Sequence, residues 1–277
     1  MGYYLNRQAM KKIKPFYLLC LMSFSGCSSY DYHIGKFEDG IGNKIAAYNL
    51  YNQFLKIAPL KSSRAIEVRL RRGEIESQVL HRCDQAVSDY ESVARNLPPQ
   101  NPWFQKAVLG ILSCPDYFPL ESGRTWVYGD SLSLGKNMKD EWKTLDGKEG
   151  KNAILSSLYA GKKLVRRRKS LFQKKNWAVF QLEGASAIPI LKYPFHTGQR
   201  WEFNGGKNGK YFEIVSTSSV VKTAAGVFSG CLKVKEAYGR FPHSWKYTYY
   251  APFVGEIKTT IAGPGFESPN TELIRYQ

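Results

Sequence analysis

Tyr117-Phe118-Pro119-Leu120-Glu121-Ser122-Gly123-Arg124-Thr125-Trp126-Val127-Tyr128 decides how the larger part of this chain folds. Its order is aromatic, proline, apolar residue, then Gly-x-x-Trp-x-aromatic. Tyr193-Pro194-Phe195-His196-Thr197-Gly198-Gln199-Arg200-Trp201-Glu202-Phe203 repeats that order, with the two tryptophans 75 positions apart. Each proline can end a preceding element, and each glycine can take a tight turn. The Trp and the aromatic two residues later then share one face of a new strand. The structural reading is two related strand openings into one core; the functional alternative is a paired aromatic platform for a ligand.

Outward from these segments, β-branched and aromatic runs alternate with turn residues. Strands are expected at 124–128, 153–159, 177–182, 200–203, 211–216, 231–235, 244–250, 256–261 and 272–276. Gly205-Gly206 and Asn208-Gly209 mark turns between two of them. Many short strands without intervening helices predict an antiparallel β sandwich or half-barrel over 115–277.

Upstream of Cys114-Pro115 the period changes to that of helices. Ala47, Leu50, Tyr51, Phe54, Leu55 and Ala58 form an apolar stripe ended by Pro59. A second helix is expected from Arg64 to about Ser77. A third runs from Val79 to Leu97, before Pro98-Pro99, and a fourth from Asn101-Pro102 to Cys114. Ala47-x3-Tyr51-x7-Pro59 recurs 39 residues later as Ala86-x3-Tyr90-x7-Pro98. Small residue, aromatic, then proline at this spacing resembles the second helix of a tetratricopeptide repeat, with Gly73 in the place of the first helix's glycine. A repeat pair and a plain helical bundle both satisfy 43–114, and either offers an interaction surface. The fold class is therefore α+β, a small all-α, tetratricopeptide-like module followed by an antiparallel β-domain.

The amino terminus reads as an address. Arg7, Lys11, Lys12 and Lys14 precede an apolar run from Pro15 to Phe24, too short to span a bilayer, and Ser25-Gly26-Cys27-Ser28-Ser29 follow. A cysteine directly after Ser-Gly at this place resembles a bacterial lipoprotein signal. The resemblance implies a signal peptide over 1–26, lipidation of Cys27 and a tether over 27–42. Ser28 and Ser29 are not the Asp linked to inner-membrane retention, so the expected location is the outer membrane, facing the periplasm.

Without residues 1–26 the chain keeps 36 Lys and Arg against 23 Asp and Glu, a formal charge of +13. In an exported protein such a charge faces lipid head groups and glycans, not nucleic acid. Lys162, Lys163, Arg166, Arg167, Arg168, Lys169, Lys174 and Lys175 fall within 14 residues. Alternation puts cations on both faces of any strand there, which a buried strand would not tolerate. A solvated edge is one reading. Contact of Arg166, Arg167, Arg168 and Lys169 with anionic lipid or a glycan is the other.

Of five cysteines, Cys20 lies in the signal and Cys27 takes the lipid. A Cys83–Cys114 disulfide is expected, with Cys231 buried and free. No Cys-x-x-Cys or His-x-x-x-His spacing occurs, and the four histidines stand near no nucleophile motif. Phosphate loops and dinucleotide fingerprints are absent as well. No catalytic residue, metal or cofactor is expected, and the chain is read as a non-enzyme.

Two further stretches join the opening segment: Thr223-Ala224-Ala225-Gly226-Val227-Phe228-Ser229-Gly230-Cys231-Leu232-Lys233-Val234 and Tyr249-Tyr250-Ala251-Pro252-Phe253-Val254-Gly255-Glu256-Ile257-Lys258. Together they resemble an uncharacterised β-rich domain found in exported bacterial proteins, many of them lipoproteins. At Phe253 that family more often has Gly. The resemblance implies a curved antiparallel sheet and an envelope location, and it brings no catalytic residues. The expectation is a non-catalytic envelope lipoprotein acting as a binding or scaffold component. Its partners would be the membrane through its lipid and an envelope protein through the helices. A carrier holding a lipid or other apolar ligand in the concave β-domain is the alternative.

Replacing Cys27 by Ser is expected to abolish labelling with an alkyne fatty acid and to move the protein out of the membrane fraction. Labelling that survives the substitution would remove the anchor from Cys27.

Overall fold

The computed structural model describes residues 29–59, 61–147, 150–206 and 208–277. The signal segment and Cys27 lie outside the described residues. The chain divides into two compact units, one ending at Gly110 and the other Ile111–Gln277.

In the first unit, residues 29–40 are helical (α1) and not the expected tether. Tyr32 packs with Tyr51, Phe54 and Val68 in one core cluster. Its hydroxyl donates to Glu67 at 2.7 Å, beside the Lys36–Glu67 ion pair at 2.8 Å. The polar composition that suggested a tether is the solvated side of an amphipathic helix. Four helices follow: α2 (Lys44–Ile57), α3 (Ser63–Gln78), α4 (Cys83–Ala94) and α5 (Pro102–Leu112). Asn43 and Ser62 cap α2 and α3 by accepting from the backbone N–H of Ala46 and Ala65. The third helix starts later than expected, because residues 79–82 turn the chain and His81 takes a positive φ.

The repeated Ala–Tyr spacing has a packing cause. Gly35 on α1 faces the Tyr51 ring, and Gly73 on α3 faces the Tyr90 ring; a Cβ on either would lie 2.8 Å from a ring carbon. Gly110 on α5 meets the opposite side of Tyr90 just as closely. Glycines on the odd helices thus seat the tyrosines of the even ones. Between α3 and α4, Arg72 donates twice to Asp89, both at 2.6 Å, and once to Asn52 at 2.7 Å.

In the second unit the twelve strands among the described residues form one sheet, with the order β6-β5-β4-β3-β2-β1-β12-β11-β10-β9-β8-β7. The strands are β1 (Thr125–Asp130), β2 (Met138–Leu145), β3 (Asn152–Ala160), β4 (Lys163–Lys175), β5 (Ala178–Glu183) and β6 (Ser186–Lys192), then β7 (Arg200–Phe203), β8 (Lys210–Thr223), β9 (Gly226–Tyr238), β10 (Trp245–Ala251), β11 (Gly255–Gly263) and β12 (Phe266–Tyr276). The sandwich alternative is therefore excluded, and the sheet is a nearly closed barrel. It consists of two up-and-down meanders, β1–β6 and β7–β12. The sequence echo marks their starts, since Trp126 lies in β1 and Trp201 in β7.

One seam is a ladder between β1 and β12, with Trp126 opposite Tyr276. At the other, the Trp201 indole N–H donates to the Pro189 carbonyl of β6 at 2.6 Å. Trp126 likewise donates to Val254 O at 2.7 Å. The tryptophans lie in different core clusters, so they form no paired platform. Strands β2 and β6 were not expected: β2 is rich in charge, and β6 contains Pro189, which an edge strand tolerates. Strand β4 is the cationic stretch read as a solvated edge, and its first part has that form.

The segment before β1 fills the barrel. Tyr117, Phe118 and Leu120 join Phe172, Ile188, Leu191, Phe212 and Leu232 in the largest cluster. Asp116 holds this plug: its carboxylate pairs with Lys174 of β4 at 2.6 Å, and its carbonyl accepts from Phe253 N–H at 2.6 Å. Phe253 itself sits at φ 61, in the left-handed region that glycine enters at no steric cost. This is the geometry behind the resembled family's usual Gly at that turn.

Gly73→Ala would add about 1 kcal/mol of helix propensity, but its Cβ would press on the Tyr90 ring. Overpacking of this kind costs roughly 1–3 kcal/mol, so the variant is expected to unfold at lower denaturant. Gly40→Ala, with open space around it, should not.

Candidate functional site: the barrel interior and the basic strand

Alternation along β9 and β10 carries polar residues into the barrel. Leu232 and Val234 are buried, and the same face continues through Glu236 and Tyr238. Val234, Glu236 and Tyr238, with Lys210, Lys246 and Glu256, surround a cavity of about 350 Å3 whose apolar wall includes Phe118, Trp142, Phe172, Phe212 and Tyr250. Lys246 stands opposite Glu236 in the ladder and pairs with it at 2.9 Å. Lys210 approaches the same carboxylate at 3.6 Å. Burial pushes Glu236 upward, but the two lysines outweigh it and hold the acid below its ordinary range. Burial alone would lower Lys246; Glu236 and Glu256 keep it raised.

Glu256 is different. Burial raises its carboxyl from 4.5 to about 7, Glu236 and Asp140 push the same way, and Lys246 opposes them. The cavity therefore combines an aromatic wall, a compensated Lys–Glu pair and one acid that titrates near neutrality. Such a lining suits an amphipathic guest. Sequence reading missed it because charged residues at strand positions look like solvent-facing ones. The available signal was that Glu236 shares its period-two face with Leu232 and Val234.

The basic residues lie on β4. Arg166, Arg167, Arg168 and Lys169 are ladder partners of Leu158, Ser157, Ser156 and Leu155 on β3. Strand β5 pairs only with Leu171–Lys175. The first part of β4 therefore runs beyond its outer neighbour and has one unpaired edge, which is why cations can occupy both faces. All four side chains belong to exposed residues. Among the described residues, only Arg168 of the four has an ion pair, with Glu183 at 3.4 Å. Arg168 faces the cavity, whereas Arg167 joins Lys143 and Arg275 around an outer hollow of about 550 Å3. Lys174 does not belong to this surface: its largely covered side chain pairs with Asp116.

Cys83 and Cys114 are both disulfide-bonded, and Cys231 is free and buried. Burial raises the Cys231 thiol to about 11, which disfavours the reactive thiolate. Among the described residues, no group of three or more His, Cys, Asp or Glu could hold a metal ion. No described helix is long and apolar enough to cross a membrane.

No family model and no curated protein matches the chain. Three solved structures do. A Bacteroides fragilis protein inferred to be exported, with a YmcC-like fold, shows 13% identity over 58% of this chain and 98% of its own, with a TM-score of 0.41. A Parabacteroides distasonis protein inferred to be a lipoprotein shows 14% identity over 58% and 98%, with a TM-score of 0.37. A hypothetical protein of Chlamydia trachomatis shows 12% identity over 57% and 87%, with a TM-score of 0.25. Overlap this loose carries no functional argument, so the functional reading rests on the chain's own residues.

Because the folded state holds the Glu256 proton more tightly than the unfolded chain, stability is lost as pH rises from 4.5 through about 7. Glu256→Gln mimics the protonated acid. It should match the parent at pH 4.5 and exceed its stability above pH 8, by up to about 3 kcal/mol. Denaturation curves at the two pH values measure the difference; equal stability at pH 8 would show that Glu256 ionises freely.

Proposed function

We propose that this protein is a non-catalytic lipoprotein of the bacterial cell envelope, anchored at the outer membrane through Cys27 and working by binding. The observation that supports this reading most directly is the unpaired edge of β4. There, exposed cations stand on both faces, and three of the four central ones lack an ion pair among the described residues. Structural need does not explain such a density of charge. An edge is protected from aggregation by one or two lysines, whereas repulsion among adjacent cations costs stability. An anionic surface offsets that repulsion. The helical unit provides a second surface, suited to an envelope protein partner.

A carrier function is the second reading, favoured by the cavity inside the barrel. Its aromatic wall and Lys246–Glu236–Glu256 lining would accommodate part of a lipid or another amphipathic molecule. Co-purified lipid that is lost when Val234 is replaced by Trp, with the cavity filled, would support it.

A chain of residues 28–277 keeps every described element without the apolar leader. It should bind vesicles containing phosphatidylglycerol, with about 1 kcal/mol per well-placed cation. Binding should weaken steeply as salt passes physiological strength, where the screening length is about 8 Å. Replacing Arg166, Arg167, Arg168 and Lys169 by Gln should remove most of the binding and leave the thermal midpoint nearly unchanged. Undiminished binding of that variant would reduce β4 to a solubilising edge.

A further inference from the structure

The two ends of the barrel differ in a way that the fold does not require. In an up-and-down barrel the connections alternate between its ends. Among the described residues, one end carries the connections 131–137, 161–162, 184–185, 204–206 with 208–209, 239–244 and 264–265. By sequence, none of these six contains an Asp or a Glu, while Lys136, Lys162 and Arg240 stand among them. The opposite end includes Asp146 in the β2–β3 connection.

The end with the acid-free loops also presents large apolar side chains to solvent. Leu132 is 93% exposed, Phe241 62% and Leu134 54%. Val165, at the start of β4, is 59% exposed. Leu134 has φ 51, a left-handed conformation that is unusual for a bulky residue and ordinarily falls to Gly or Asn. Its loop is well held. Asp130 accepts from Ser133 N–H at 2.8 Å and from Met138 N–H at 3.1 Å. Next to it, Gly161 N–H of the β3–β4 turn donates to Asn137 O at 2.9 Å. Across the end, Arg240 donates to Asn208 at 2.6 Å, joining two more of the loops. These ordered loops hold leucine and phenylalanine in water; their own charged residues are cations, and the flanking carboxylates Asp130 and Glu183 are engaged, by Ser133 and Met138 and by Arg168.

We infer that this end of the barrel docks on a lipid leaflet: Leu132, Leu134 and Phe241 enter the acyl boundary while the neighbouring Lys and Arg side chains meet anionic head groups. The inference rests on the anionic-surface reading of β4, whose cationic edge lies at the same end, and specifies a lipid leaflet as the surface. Charge complementarity selects an anionic leaflet, and the exposed aliphatic tips select a lipid over a glycan, which offers no apolar layer to enter.

The test uses the full lipidated chain reconstituted in vesicles of phosphatidylethanolamine and phosphatidylglycerol (3:1), or of phosphatidylcholine alone. An environment-sensitive fluorophore is attached at Leu132→Cys, Phe241→Cys or, at the opposite end, Val227→Cys; Cys231 is buried and does not compete for the label. In the anionic vesicles, probes at 132 and 241 should shift to shorter wavelength and be quenched several-fold by acyl-chain bromines. The probe at 227 should remain aqueous, and all three should remain aqueous in phosphatidylcholine. The triple variant Leu132→Asn, Leu134→Asn, Phe241→Ser, in the 28–277 chain, should lose at least tenfold in vesicle affinity, since each large side chain contributes on partial burial. Aqueous emission at 132 and 241 in anionic vesicles overturns leaflet insertion. If salt-sensitive binding through β4 persists in that case, the electrostatic reading stands and its target is a head-group layer or a glycan.

Discussion

The second unit depends on how the two edges of one large sheet are brought together. A twelve-stranded antiparallel sheet left open would present two rows of unsatisfied backbone groups. Here the two meanders join along a β1–β12 ladder with a bulge at Val127/Tyr128, and the outer edges, β6 and β7, are bridged by the Trp201 indole N–H on the Pro189 carbonyl. Pro189 on β6 has no N–H to donate to a further strand, and its carbonyl, the acceptor it still offers, is satisfied by the indole. The stacked Trp201–Phe212 pair, with ring centroids 5.4 Å apart, holds the indole in position.

Closure creates an interior that must be filled, and the chain fills it with its own approach segment. Tyr117, Phe118 and Leu120 occupy the barrel before the first strand is laid down. Asp116 ties that plug to β4 and to the β10–β11 turn through opposite ends of the same residue. Removing either partner of the Asp116–Lys174 pair would strand a charge at a nearly buried site, a much larger penalty than loss of an exposed ion pair. The space left beyond the plug is the cavity around Glu236, Lys246 and Glu256. Its polar lining is affordable because Glu236 is shared by two lysines and Glu256 can keep its proton near neutrality.

The charge distribution separates structure from function on physical grounds. Lys174 is compensated and largely covered, and so belongs to the fold. Arg166, Arg167 and Lys169 are exposed, lie on an edge without a strand partner and contribute little to stability. The second group, and the exposed apolar loops at the same end of the barrel, are what the proposed contact with an anionic surface would account for.

Sequence alone determined most local structure. Proline and glycine punctuation with period-two alternation located nine of the strands, and the echo around Trp126 and Trp201 marked what proved to be the starts of two meanders. The Ala–Tyr spacing of the helices was visible too, although its meaning required the ring contacts at Gly35 and Gly73. Residues 29–40 were misread because polar composition hides an amphipathic helix whose buried face is only Tyr32 and Gly35. Strand β2 was hidden by its charge, whereas cations on both faces of β4 marked it as a solvated edge, and only the register with β5 showed where its pairing stops. The choice between sandwich and barrel, the pairing of Lys174 with Asp116 and the meeting of Glu236, Lys246 and Glu256 were decided by tertiary structure. Each depends on which strands become neighbours across long separations, and that is settled by closure of the sheet, which no local pattern encodes.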